Sequence, residues 1–136
     1  MNKKIIFICL ILIISCKTDK STKAEANLDF LETHTPNINN GKKIFNYSCV
    51  TCHLYGSVGA TMLIDKKSWS QLLNEKSNED IYLNVLNGFM GKKGPMPEKG
   101  ACIDCSNTDL FDAIEYILSL NGLTIKNQKL NMDNNQ

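Results

Sequence analysis

Apolar and polar positions divide this chain into four stretches. A basic start at residues 2–4 leads into an unbroken apolar run over residues 5–14. Residues 17–38 are polar and mixed in charge, with no helical or strand period, so they are predicted to form a flexible linker. Residues 39–122 carry apolar side chains at helical spacing, and the tail from residue 123, rich in Asn, Lys and Gln, is predicted to be loose. The pattern predicts one small folded domain with an appendage at each end.

The folded stretch is predicted to be helical throughout. Its signals, in chain order, are an Asn39 or Asn40 cap, a short helical piece over residues 68–73, a Ser77 start with a Gly88 stop, and a cap signal at residues 106–109 with a Gly122 stop. The last helix places apolar side chains on one face, at Leu110, Phe111, Ile114, Ile117 and Leu118. No strand-length alternation occurs, so the predicted fold class is all-α.

Length and charge limit the functions that such a domain can have. The chain has 136 residues and a formal net charge of +1, and no basic run is typical of a nucleic-acid-binding arm. Nucleic acid is therefore not an expected partner. A domain of this size with few large apolar groups has a marginal core by itself, which a large apolar cofactor would help to fill.

The beginning of the chain predicts export. The apolar run is too short to span a bilayer, which takes about 20 residues, and a short basic stretch before a short apolar one is the layout of a secretory signal. The sequence Ile13-Ile14-Ser15-Cys16 resembles the lipobox of bacterial lipoproteins. This resemblance implies a lipid on Cys16 that anchors the protein to a membrane on the periplasmic side of the bacterial cell envelope. A plain signal with a chance cysteine is the alternative.

These signals set the predicted divisions of the chain. They are a lipoprotein signal peptide (1–15), the lipidated cysteine with a flexible linker (16–38), the folded domain (39–122) and a loose tail (123–136). His34 lies in the linker and is predicted to be solvated.

Export also decides how the cysteines are interpreted, because an oxidising compartment discourages free thiols. The chain has six cysteines, of which Cys9 leaves with the signal and Cys16 becomes the anchor. Two pairs remain, Cys49/Cys52 and Cys102/Cys105.

The first pair belongs to the sequence Cys49-Val50-Thr51-Cys52-His53. Cys-x-x-Cys-His is the attachment sequence for c-type haem. Two thiols one helical turn apart can each add across one haem vinyl group, and the histidine that follows is held where an imidazole nitrogen reaches the iron. A structural or redox Cys-x-x-Cys that happens to precede a histidine is the alternative. The motif favours one covalent haem c, with Cys49, Cys52 and His53 as its attachment and ligand residues.

Met96 is the candidate for the second protein ligand of the iron. It lies between Pro95 and Pro97, whose fixed backbone angles can present the sulfur from a stiff loop. A thioether sulfur at this position favours reduced iron. Met62 and Met90 lie beside apolar residues and are predicted to serve in packing.

The pair Cys102/Cys105 is ambiguous from its residues alone. It is consistent with a disulfide, a dithiol catalyst or half of a metal site. A zinc ribbon needs its two cysteine pairs about 15–20 residues apart, and the two pairs here are much farther apart.

Several segments within residues 41–121 match one known family. They are Gly41-Lys42-Lys43-Ile44-Phe45, the haem attachment motif, Gly56, Gly59-Ala60, Trp69, Val85-Leu86-Asn87-Gly88, Gly94-Pro95-Met96-Pro97-Glu98-Lys99-Gly100, Cys102-Ile103-Asp104-Cys105-Ser106 and Ala113-Ile114-Glu115-Tyr116-Ile117. Together they resemble the class I cytochromes c, and within that family the cytochrome c5 group. The resemblance implies helices wrapped around one haem, with the first and last helices crossing at Gly41, Phe45 and Tyr116. It also implies His53 and Met96 as iron ligands, a Cys102–Cys105 disulfide, and haem packing by Trp69.

Two features depart from that family. Its members usually have Pro after the Ala that Ala60 matches, whereas this chain has Thr61. The backbone carbonyl of that Pro commonly orients the haem-ligating histidine, which leaves the partner of the second His53 nitrogen open. The N-terminal lipid tether is the other departure.

The resemblance implies a one-electron carrier rather than an enzyme, because two protein ligands leave the iron no substrate site. The expected partners of this monomer are redox proteins such as a membrane reductase or terminal oxidase. Five lysines are candidates for a docking face near the haem edge, namely Lys42, Lys43, Lys92, Lys93 and Lys99. The alternatives are a haem enzyme or gas sensor with a displaceable Met96, and a thiol-redox or zinc module that uses both cysteine pairs.

Overall fold

The computed structural model describes residues 30–125 of the chain. Its elements are α1 (Ile38–Ile44), a π-helical segment (Phe45–Cys49), α2 (Val50–His53), a 3-10 turn (Ser57–Gly59), α3 (Lys66–Glu75), α4 (Asn78–Asn87), β1 (Phe89–Met90), β2 (Pro95–Met96), a second 3-10 turn (Glu98–Ala101) and α5 (Asn107–Leu120). The predicted all-α class is confirmed, and the described residues add one short hairpin whose two strands have two residues each. The predicted signal peptide, Cys16, and the outer parts of the linker and tail lie outside the described residues. No helix within residues 30–125 combines the length and apolar content needed to cross a membrane.

Short-range capping explains where two of the helices begin. The Ser77 hydroxyl accepts the Asp80 N–H at the start of α4, as predicted. Ser106 and Asp109 form a reciprocal capping box at the start of α5, which satisfies two backbone donors at once. Both signals lie within four residues of sequence, so they could be predicted without knowledge of the tertiary structure.

The predicted cap of the first helix is wrong. Asn37, and not Asn39 or Asn40, caps α1 by accepting the Asn40 N–H at 3.1 Å. The Asn40 side chain is instead used across the fold, where its amide donates to Asp109 at 2.8 Å and to Asp112 at 2.9 Å. The hydrogen bond from Asn40, followed by those from Ser106, lowers the pKa of Asp109 below its usual value.

The first and last helices cross at a glycine. Gly41 of α1 is buried, and a Cβ atom built on it would lie 2.0 Å from the Asp112 carbonyl oxygen of α5 and 2.9 Å from the Tyr116 Cβ. The Phe45 and Tyr116 rings pack beside this contact with their centroids 5.6 Å apart. The crossing that the family resemblance implies is therefore present, and it brings the two helices so close that no side chain fits between them.

Residues 30–38 pack on the domain, so the flexible-linker prediction is wrong for them. Residues 30–33 are helical, Leu31 is buried, and the Phe30 ring contacts the Phe111 ring edge-on at 5.8 Å. His34, predicted to be solvated, stacks on Phe30 at 5.1 Å and its Nε2 lies 3.0 Å from Asp112 Oδ1. Phe30 and Leu31 are adjacent apolar residues in a polar stretch and give no helical or strand period, which is why the sequence pattern missed this segment.

Residues 123–125 also pack on the domain, beyond its predicted end at residue 122. Ile125 is buried, its N–H donates to Glu115 Oε1 at 3.1 Å, and its carbonyl accepts from the Asn78 side chain at 3.0 Å. The prediction of a loose tail from Leu123 is therefore wrong for residues 123–125.

Asp112 is the buried carboxylate that joins α5 to the N-terminal segment. It is 1% exposed, and its oxygens meet the Asn37 N–H at 2.9 Å, the Asn40 amide and His34 Nε2. We expect Asp112→Ala to lower the free energy of unfolding by about 3 kcal/mol, because it leaves partly buried donors without an acceptor. Denaturant unfolding measures this loss. Asp104→Ala removes an exposed carboxylate and should change stability by less than about 0.5 kcal/mol, and an equal loss in both variants would contradict the assigned role of Asp112.

Candidate functional site

The two thiols of the attachment motif lie together on one turn of helix. Cys49 ends the π-helical segment, and Cys52 and His53 lie in α2. Both cysteines are unpaired and half-buried. Burial, with the nearby Cys52 as a second cause, raises the pKa of the Cys49 thiol to about 11. A dithiol catalyst needs the opposite, a lowered thiol pKa, so the Cys49 thiol gives no support to the thiol-redox interpretation.

The other pair is a disulfide. Cys102 and Cys105 are bonded, with their Cα atoms 5.4 Å apart, and both are buried. The disulfide that the family resemblance implies is thereby confirmed. Within residues 30–125 no group of three or more His, Cys, Asp or Glu side chains could hold a metal ion. A zinc module built on both cysteine pairs therefore has no support in this part of the chain.

His53 is oriented by a backbone carbonyl. Its Nδ1 lies 2.8 Å from the Thr61 carbonyl oxygen, and because a carbonyl can only accept, the Nδ1 atom carries the proton. The Nε2 atom then has a free lone pair, which is the state that binds a metal. The question left open by the sequence is thus answered, because Thr61 supplies through its backbone what Pro supplies in the family.

The Trp69 ring packs against the same histidine. Its ring centroid lies 5.9 Å from that of His53 at an interplanar angle of 32°. The indole N–H donates to the Met62 carbonyl at 2.8 Å, so the ring has one fixed orientation. The imidazole is held from two sides, by the loop that follows it and by α3.

The Met96 hairpin rests on the loop that follows His53. A Cβ on Gly59 would lie 2.5 Å from the Lys93 carbonyl oxygen, and one on Gly94 would lie 2.4 Å from the Val58 carbonyl oxygen. These two glycines let the hairpin turn and the loop touch through their backbones. The structure therefore joins the segment that carries Met96 to the segment that carries the attachment motif.

Met96 itself is half-buried on β2, opposite Phe89 of β1. The hairpin is closed by the Gly91 N–H, which donates to the Gly94 carbonyl at 3.0 Å. Met62 and Met90 are 45% and 78% exposed, so they do not pack in the core of the protein as predicted. A two-residue strand and a surface loop offer too few neighbours to cover a methionine.

Exposed apolar side chains surround this region. They lie on the end of the motif, the loop after it and the hairpin, at Leu54, Val58, Met62, Ile64, Phe89 and Met90. An apolar surface of this kind marks a binding site. With two unpaired thiols one turn apart and an imidazole that keeps Nε2 free, the donor set fits a flat apolar macrocycle that carries iron.

The candidate docking lysines do not form one set. Lys42, Lys43, Lys92 and Lys93 are exposed. Lys99 is half-buried and its Nζ donates to the Cys105 carbonyl at 3.1 Å, so its charge is engaged within the loop.

Sequence reasoning also missed Ser48, whose hydroxyl donates to the Gly100 carbonyl 52 residues away. No sequence signal indicates that contact.

Known proteins resemble most of the described chain. The family model for "Cytochrome C oxidase, cbb3-type, subunit III" matches residues 36–117. Cytochrome c-555 of Chlorobaculum tepidum is 31% identical over 78 residues, which cover 57% of this chain and 71% of the relative. Cytochrome c5 of Ectopseudomonas mendocina is 32% identical over 73 residues, covering 53% and 79%. Cytochrome c-555 of Prosthecochloris aestuarii is 28% identical over 83 residues, covering 59% and 84%. The matched family span includes the attachment motif, the hairpin and most of α5.

Proposed function

Because this chain belongs to the class I monohaem c-type cytochromes, which are electron carriers with a covalent haem c, we propose that its iron is held by His53 and Met96. The observation that carries the proposal is the hydrogen bond from His53 Nδ1 to the Thr61 carbonyl. It fixes the imidazole tautomer and leaves Nε2 as the donor to iron.

Four residues of this chain would hold the haem, namely Cys49, Cys52, His53 and Met96. Bound haem c supplies an iron that alternates between Fe(II) and Fe(III) by one electron. Cys49 and Cys52 would attach it through thioether bonds. His53 Nε2 and the Met96 sulfur would hold its iron, and the sulfur would favour the reduced state. With two protein side chains on the iron, electrons would pass without a substrate binding to it.

A haem enzyme or gas sensor is the second candidate function. It needs Met96 to leave the iron and a proton donor or acceptor to face the opened site. His34, the other histidine of the chain, is bound to Asp112 of α5 instead. The short hairpin with its backbone contacts to residues 58–59 also favours a sulfur that stays in place. These contacts support the carrier.

Carbon monoxide distinguishes the two functions, because it binds reduced iron only where a ligand is absent or leaves. We expect the reduced protein to bind carbon monoxide slowly, and Met96→Ala to bind it on the order of 100-fold faster, a change worth about 3 kcal/mol. Stopped-flow absorbance measures both rates. Leu120→Ala, which shortens an exposed side chain at the end of α5, should match the unaltered protein. Fast binding by the unaltered protein would favour the sensor or enzyme.

The proposed location is the bacterial cell envelope, with a lipid on Cys16. The folded domain, called the head below, would lie on the periplasmic side. Because residues 30–38 pack on the head, only residues 17–29 separate it from the anchor. Thirteen residues reach at most about 45 Å when extended, so the head stays close to the membrane. Such a position suits membrane proteins as redox partners, a reductase on one side and a terminal oxidase on the other. The protein would meet these partners as a monomer.

The variant Cys16→Ser tests the lipid anchor. It should no longer attach to the membrane, and attachment that persists would refute the anchor.

A further inference from the structure

The chain makes a left-handed turn directly after the Met96 loop. Lys99, Gly100 and Ala101 have φ angles of 53°, 62° and 67°. Gly100 adopts this conformation freely, but the other two residues adopt it against their steric preference. The turn is closed by backbone hydrogen bonds, from the Gly100 N–H to the Pro97 carbonyl at 3.0 Å and from the Cys102 N–H to the Lys99 carbonyl at 3.1 Å. A strained turn persists only where its surroundings hold it.

Contacts within the loop hold the shape of this turn. Lys99 Nζ donates to the Cys105 carbonyl at 3.1 Å, and the Cys102–Cys105 disulfide closes the segment behind it. Both contacts join residues of the same short segment. They fix the internal geometry of the turn, but they do not place it relative to the attachment motif.

Ser48 supplies the contact that does. Its hydroxyl donates to the Gly100 carbonyl, across 52 residues of sequence. Ser48 is half-buried in the π-helical segment, immediately before Cys49. A Cβ built on Gly100 would lie 3.6 Å from Ser48 Oγ and 3.9 Å from Cys49 Sγ. The strained turn therefore lies against the residues that begin the attachment motif.

Met96 is thus held between two anchors. On its N-terminal side, Lys93 and Gly94 touch the loop of residues 58–59 through their backbones. On its C-terminal side, Gly100 is held by Ser48. Gly88 also lies against this side, since a Cβ built on it would lie 2.7 Å from the Met96 carbonyl oxygen. A backbone contact at a glycine cannot be removed by truncating a side chain, whereas the Ser48 hydroxyl can be removed cleanly.

We infer that Ser48 is a positioning residue for the Met96 sulfur, acting through the Gly100 carbonyl. This inference rests on the proposed ligation of iron by His53 and Met96. Without the hydroxyl, the left-handed turn loses the side-chain hydrogen bond that joins it to the attachment motif, and on that side the loop is held by its backbone contact with Gly88. The sulfur then spends more time away from the iron. The reduced state loses part of its preferred ligand, so the reduction potential falls.

The test compares Ser48→Ala with the unaltered protein in the haem-loaded form. Carbon monoxide should bind reduced Ser48→Ala roughly fivefold faster, which corresponds to the loss of one hydrogen bond, and the reduction potential should be lower. Ser57→Ala removes an exposed serine from the loop after the motif and should change neither quantity. If Ser48→Ala loads haem poorly, the isosteric pair Ser48→Thr and Ser48→Val is compared instead. The Val variant should behave as Ala does, and the Thr variant as Ser does.

The outcomes separate this inference from the proposed function. If Met96→Ala binds carbon monoxide rapidly while the Ser48→Ala and Ser48→Val rates and potentials equal those of their hydroxyl-bearing counterparts, the Ser48 inference alone is overturned. A loss of stability without a change in rate or potential has the same meaning, since it shows a purely structural serine. If Met96→Ala itself binds at the unaltered rate, the assigned ligand is wrong and the inference about Ser48 is overturned with it.

Discussion

Gly41→Ala is expected to prevent the protein from folding stably. The added Cβ would lie 2.0 Å from the Asp112 carbonyl oxygen, which is backbone and cannot rotate away. The helices α1 and α5 would have to separate, and the Phe45–Tyr116 contact would be lost with them. We expect a loss of at least about 3 kcal/mol, a large part of the stability of a small domain. The loss is expected even though Ala favours an isolated helix over Gly by about 1 kcal/mol.

Denaturant unfolding followed by helical circular dichroism measures this effect. Gly122→Ala is the matched control, because its φ of 68° disfavours alanine while the nearest atom to the added Cβ is Lys66 Nζ at 4.0 Å. It should cost only about 1 kcal/mol, from backbone conformation alone. Equal costs at both glycines would mean that the helices do not cross as closely as described.

Removal of both attachment thiols is the second change with a large expected effect. In Cys49→Ala/Cys52→Ala, haem is held only by coordination and apolar contact, so acidified acetone should extract nearly all of its colour. The unaltered protein should keep its colour in the protein fraction under the same treatment, because thioether bonds survive acid. The absorbance of the extract and of the precipitate measures the partition.

The second cysteine pair provides the control for that experiment. Cys102→Ala/Cys105→Ala removes the disulfide but leaves both proposed attachment thiols in place. It should keep its haem covalently bound while losing about 2 kcal/mol of stability, the value for a loop this short. Haem that becomes extractable in this variant, and not in the other, would reverse the assignment of the two pairs.

The parts of the structure that could be predicted from sequence are those fixed by nearby residues. Ser77 and Ser106 cap helices that begin within four residues of them, and the Cys-x-x-Cys-His spacing carries its own chemistry. Two thiols one helical turn apart, with a histidine directly after the second, follow from that spacing alone. Short-range hydrogen bonding and covalent chemistry leave a direct record in the sequence.

The parts that could not be predicted depend on partners far along the chain. His34 lies in a polar stretch, and its partner Asp112 is 78 residues away. The sequence predicts a cap at Asn39 or Asn40, whereas the Asn40 amide has its partners on α5, 69 and 72 residues away. Thr61 acts through a carbonyl that every residue possesses, so its identity carries no signal. Contacts of this kind become visible only when the helices are assembled.

The packed N-terminal segment changes how a tethered head would be presented. Phe30 and His34 fix the chain against Phe111 of α5. The tether proposed at Cys16 would therefore leave the domain from this face, and not from residue 39. Such a point of departure would favour one side of the domain for contact with the proposed membrane partners.

The most direct test of the account is the absorption spectrum of the oxidised and reduced protein, compared with that of Met96→Ala. We predict sharp low-spin bands on reduction and a weak far-red methionine–iron band on oxidation, which is lost in Met96→Ala and kept in Met62→Ala. A far-red band that persists in Met96→Ala would contradict the assignment of that sulfur. A high-spin spectrum of the unaltered protein would show an open iron site, which contradicts an electron carrier ligated by His53 and Met96.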